Sequence, residues 1–204
     1  MIRRMFALVT ALLLFTSAAC AVTNGEAAQY TKRAADAAAS GDWKTAATDY
    51  QLAIELSQPN VDGELYHQLA LCYGQMRNFH DALINFDLAI KTSPLKPVYF
   101  YDRGITNNFV GDTNHALEDL TQAIALNNDY VDAYYARGIV YGERGDYELA
   151  MKDFDWVVQK RPKDYRAYYW RGKIDFLQGN KTSANKEYAQ AVKLAGVQLP
   201  IYSK

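Results

Sequence analysis

Reactive side chains are scarce in this chain of 204 residues, which holds two cysteines and three histidines. A metal centre needs ligands that converge. His67, His80 and His115 recur at no common spacing, and no H-E-x-x-H pair occurs. Gly179-Asn180-Lys181-Thr182 has the end of a phosphate-cradling loop without its upstream glycine. Cys72 lies between Leu71 and Tyr73, the setting of a packing thiol rather than of an activated nucleophile. Arg144-Gly145-Asp146 spells an adhesion-type tripeptide, but Gly-Asp is also what a tight turn asks for. No catalytic residue, metal ligand or cofactor site is therefore expected, and the chain reads as a non-enzyme. Its formal net charge of −1 gives no drive toward nucleic acid or anionic lipid.

Two other constellations recur. The first pairs a base with an acid: Arg33 with Asp49, Arg103 with Asp119, Arg137 with Asp153, and Arg171 with Glu187, always 16 residues apart. At the one place where the arginine is missing, Leu69, the acid is missing too, replaced by Asn85. Joint loss is the mark of a structural ion pair; a ladder of ligand-binding arginines would not need the acid. The second constellation is aromatic. Tyrosine occurs 16 times, and Tyr134-Tyr135 and Tyr168-Tyr169 are doublets.

The elements that hold these residues follow from a period. Gly104, Gly138 and Gly172 recur every 34 residues, each after an arginine. The frame extends to five repeats, 27–60, 63–96, 97–130, 131–164 and 165–198, with Val61-Asp62 inserted after the first. Position 4 is aromatic (Tyr30, Tyr66, Phe100, Tyr134, Tyr168) and position 8 is small (Ala34, Ala70, Gly104, Gly138, Gly172). Position 20 is alanine throughout, from Ala46 to Ala184, and position 24 is large (Tyr50, Phe86, Leu120, Phe154, Tyr188). Positions 4, 8 and 11 share one helical face, as do 20, 24, 27 and 28, so each repeat predicts two amphipathic helices. Position 15 is glycine in four repeats, where the chain must turn left-handed; Arg77 stands there in the second and predicts a strained turn. Position 16 supplies Asp42, Asn78, Asp112, Asp146 and Asn180 as helix caps.

These residues resemble the tetratricopeptide repeat, with the fourth repeat matching best through Tyr134, Gly138, Tyr141, Ala150, Phe154 and Pro162. The resemblance implies an all-α fold: a right-handed superhelix of five tandem helical hairpins with a concave groove lined by first helices. It further implies a groove surface at positions 2, 5, 9, 12 and 13. Tyr101, Tyr135 and Tyr169 then form a ladder at position 5, with Ile105, Ile139 and Lys173 at position 9. Asn108 and Phe176 fall at position 12, and Phe109 at position 13. Position 4 would belong to the core and position 5 to the groove, the alternative being that the position-5 tyrosines merely pack against neighbouring repeats. Tyrosine and isoleucine at positions 5 and 9 do not suit capture of a terminal carboxylate. The expected partner is another protein, bound through an apolar extended or helical segment.

The N-terminus reads as an address. Arg3 and Arg4 precede an apolar run, Phe6 to Phe15, too short to span a membrane, and small residues lead into Cys20. Ser17-Ala18-Ala19-Cys20 resembles the lipobox of bacterial lipoproteins, with Ser17 where leucine is usual. The resemblance implies a lipidated Cys20, a linker over 21–26 and a place in the cell envelope, with Ala21 favouring the outer membrane. The membrane would then be touched only through the lipid. Ordinary signal-peptidase cleavage, giving a soluble periplasmic or secreted binder, is the alternative. Residues 199–204 form a short apolar tail.

Overall fold

The computed structural model describes residues 25–198 and residue 200. Cys20, the segment before it and most of the tail lie outside the described residues. Among the described residues all regular structure is α-helical, and no helix is long and apolar enough to cross a membrane. The chain divides into two compact units, one ending at Leu95 and the other beginning at Lys96.

The N-terminal unit holds α1 (25–39), α2 (Trp43–Leu56), α3 (Gly63–Gln75) and α4 (Phe79–Thr92). Helices α3 and α4 form a hairpin, and α2 packs on α3. Ala34, Ala46 and Tyr50 sit in one buried cluster, and Ala70, Ala82 and Phe86 in another. The turn between α3 and α4 follows the left-handed path without a glycine: Arg77 itself takes φ 60°. That is the strain its side chain predicts, since a Cβ in this region crowds the next carbonyl.

The C-terminal unit holds α5 (Pro97–Phe109), α6 (Thr113–Leu126), α7 (Val131–Arg144), α8 (Tyr147–Lys160), α9 (Tyr165–Leu177) and α10 (Lys181–Ala195). Each helix packs on the next, giving three hairpins in series, and α7 also touches α5 and α9, so the first helices lie side by side. Close approach within a hairpin has a specific cause. A Cβ added at Gly138 would lie 2.9 Å from the Phe154 ring, and one at Gly172 would lie 2.8 Å from the Tyr188 ring. The missing side chain is the seat for a large buried one, and Phe154 and Tyr188 are almost wholly removed from water. Burying each such ring stabilises the fold by ~1.5–3 kcal/mol.

Two expectations change. Position 4 flanks the core rather than filling it: Tyr66, Phe100 and Tyr134 are half-buried rings packed against core clusters, and Tyr30 and Tyr168 are half-buried too. The deep sites of the first helices are instead Tyr99, Ala133 and Ala167, together with Cys72, Val140 and Ile174. Capping also departs from the pattern. Asp42, Asn78 and Asp112 accept backbone N–H groups of α2, α4 and α6, but Asp146 and Asn180 make no such bond. Arg144 takes the Asp146 carboxylate instead, folding the adhesion-type tripeptide onto itself across the turn.

Candidate functional site

The arginine–acid pairs are geometric units. In the α5/α6 hairpin Arg103 donates from Nε and Nη2 to the two oxygens of Asp119, at 2.9 and 2.6 Å. Between α7 and α8, Arg137 grips Asp153 in the same fork, both bonds 2.9 Å. Arg171 reaches Glu187 at 2.8 Å and Arg33 reaches Asp49 at 3.2 Å by one nitrogen each. Where the pair is absent, Leu69 is buried and Asn85 turns its amide to the Asp81 carbonyl. The half-buried aromatic of position 4 lies against the same guanidinium, with 5.1 Å from Arg33 to the Tyr30 ring and 5.4 Å from Arg137 to the Tyr134 ring. Arg137 and Arg171 also reach back to the preceding hairpin, to Thr121 at 3.2 Å and Asp155 at 3.4 Å. Each therefore ties an acid, a ring and a neighbouring hairpin together, and in Arg137 Nε, Nη1 and Nη2 all donate inside the fold.

A hollow with a cavity volume of about 230 Å³ opens between α5 and α7. Six of the residues expected in the groove line it: Tyr101, Ile105, Asn108, Phe109, Tyr135 and Ile139. Tyr169, Lys173 and Phe176 on α9 do not. Tyr169 leans on Tyr188 with ring centroids 5.7 Å apart, and the Lys173 ammonium lies 4.1 Å from the Trp170 ring centroid.

The ladder of open tyrosines is a different object in the structure. Tyr101 is wedged against Tyr130 at 5.0 Å, and Tyr135 meets Phe154 edge-on at 5.9 Å. Burial pushes both phenols above their ordinary pKa. A ring at position 5 fills the gap beside the neighbouring helix, so only part of it reaches solvent. The open apolar surface belongs to Ile105, 40% exposed, and Phe109, 60% exposed.

Asp132 and Arg166 also line the hollow and complete its rim. Both stand at position 2, which is the sequence signal for them. Arg161 clasps Asp132 with bonds of 2.7 and 3.1 Å. Arg166 forks onto Asp164 at 2.9 and 2.7 Å and lays its guanidinium 4.7 Å from the Tyr135 ring centroid. The bonds from Arg166 hold the Asp164 carboxyl below its usual range.

The remaining reactive groups are spent or remote. Cys72 is 2% exposed and burial pushes its thiol up to about 11. His67 packs on Phe86 at 5.8 Å, and His115 binds Asp112, which raises the imidazole pKa. No group of three or more potential metal ligands gathers among the described residues. Trp156 is half-buried in a stack on Tyr134 at 3.8 Å, with the Lys160 ammonium 5.2 Å from its ring centroid.

This geometry has known counterparts. Three tetratricopeptide-repeat family profiles match, over residues 63–94, 111–145 and 135–197. A crystal structure of MamA superposes with a TM-score of 0.75 at 24% identity, covering 87% of this chain and 98% of that one. MamA from Desulfovibrio magneticus RS-1 gives 0.78 at 18% identity, covering 84% and 96%. YrrB, described as a tetratricopeptide protein with an unusual peptide-binding site, gives 0.70 at 20% identity, covering 82% and 85%. No curated protein sequence matches. At these identities the likeness is one of fold. Together the hairpin packing and the matching profiles make residues 63–94 and 111–197 tetratricopeptide repeats.

Proposed function

We propose that this protein is a non-catalytic interaction scaffold that holds a segment of a partner protein in the hollow between α5 and α7. The observation that carries this reading is the open apolar surface of Ile105 and Phe109 beside rings of Tyr101 and Tyr135 that the fold already holds in place. Rigid aromatic walls lose little entropy when a ligand arrives, and a wet apolar floor gains by being covered. A peptide-binding site in YrrB, a protein of the same fold, supports it by analogy. Replacing Ile105 with Ser and Phe109 with Ala should leave helicity and Tm unchanged. Side-by-side capture from the native envelope should then lose the partner bands that the wild type retains. Equal capture by both proteins overturns the reading.

We further propose an envelope location with Cys20 as the lipid-bearing N-terminus, on the strength of the apolar run and the small residues before it. Mass spectrometry of the mature protein tests this. An acylated Cys20 is the expected result. A free N-terminus at Cys20 or Val22, from cleavage after Ala19 or Ala21, would favour the soluble periplasmic or secreted form.

A further inference from the structure

The hollow is not electrically uniform. At the start of α7, Arg166 commits Nε and Nη2 to Asp164 and stacks on Tyr135, while its Nη1 has no partner among the described residues. Neighbouring Asp132 has both oxygens taken by Arg161. The donor left over at this end is therefore Arg166 Nη1, which a carboxylate can take. At the far end of α7 the order reverses. Glu143 is exposed and receives one long bond, 3.4 Å, from Asn108 to Oε2, which leaves Oε1 open. From position 132 to 143 the helix rises ~16 Å, the length of about five extended residues. Between these ends lies the apolar stretch of Ile105, Tyr135 and Ile139. A volume of about 230 Å³ falls below the ~300–1,000 Å³ of small-molecule sites, so it suits one bulky side chain.

We infer that the hollow selects a partner segment carrying a bulky apolar side chain between an acid and a base, the acid meeting Arg166 and the base meeting Glu143. This rests on the hollow being the binding surface, and the test separates the two claims. Three fluorescein-labelled synthetic peptides of equal length share a central phenylalanine. Their flanking residues, about five apart, are Glu and Lys, Glu and Glu, or Lys and Lys. Anisotropy at low salt should show the Glu/Lys peptide binding about three- to fivefold tighter than either of the others, as partly exposed charge pairs allow. Arg166→Gln should erase its advantage over the Lys/Lys peptide, and Glu143→Gln its advantage over the Glu/Glu peptide. Ile105→Arg should abolish binding of all three. Equal affinities, or preferences that survive the two charge variants, overturn the charge selection while the hollow remains the site. Binding that ignores Ile105→Arg, or no binding by any peptide, overturns both claims.

Discussion

Arg137 holds Asp153 through two parallel hydrogen bonds of 2.9 Å, and its side chain is 16% exposed against 7% for the carboxylate. Arg33 reaches Asp49 by a single nitrogen at 3.2 Å and is itself 62% exposed, although the Asp49 carboxylate is only 4% exposed. The same sequence motif thus sits in two dielectric settings, and its energetic value should differ accordingly. Removing Arg137 strands a buried charge, so Arg137→Ala should cost about 3–5 kcal/mol. Arg33→Ala should cost less, about 1–3 kcal/mol, because a single bond to the buried Asp49 carboxylate is lost and water already reaches the arginine end. Urea denaturation of both variants checks the contrast, and equal losses would contradict it.

The last hairpin should respond to acid in the opposite sense to an ordinary ion pair. Glu187 is buried, and that burial raises its pKa; Arg171 opposes the rise and Asp175 adds to it. A carboxyl whose folded pKa exceeds its unfolded value is penalised in the fold when ionised. That penalty is present at neutral pH and is relieved as pH falls through the raised folded value toward the usual 4.5. The stability difference between wild type and Glu187→Gln should therefore change across that window. The wild type should gain relative to the variant on acidification, as thermal melts at stepped pH would show. A wild type that loses ground to the variant over that range would refute the assignment.

Replacing Tyr101, Tyr135 and Tyr169 together with Ala tests the fold more than the binding surface. Each ring is half-buried against a neighbour, so each truncation should cost about 1–2 kcal/mol, and Tm should drop. An unchanged Tm would mean that the rings are free groove groups after all.

The hairpins were legible because their cores are encoded locally. Small residues at Gly138 and Ala150 and a large one at Phe154 recur at helical spacing, and the hairpin buries all of them. The turns were legible for the same reason, down to the strained Arg77. What resisted reading depends on neighbours that sequence spacing does not reveal. Tyr101 lies in its groove register, yet its exposure is set by Tyr130 of the next connection. Tyr134 carries a family core position, yet it serves as a platform for Arg137 and Trp156. Asp146 has the chemistry of a cap, but Arg144 competes for it. Arg166 stands at a groove position, but its reach from α9 across to Tyr135 is a tertiary contact that spacing does not show.

Methyl NMR of isoleucine-labelled protein tests the central claim most directly, because the isoleucines sample separate surroundings. Ile105 and Ile139 line the hollow, Ile174 and Ile124 are buried elsewhere in the same unit, and Ile84 is exposed on α4. Titration with the Glu/Lys phenylalanine peptide should shift the Ile105 and Ile139 methyl signals together and saturably, leaving Ile84, Ile124 and Ile174 in place. Shifts centred on Ile84, or spread evenly over all five, would contradict a binding surface between α5 and α7.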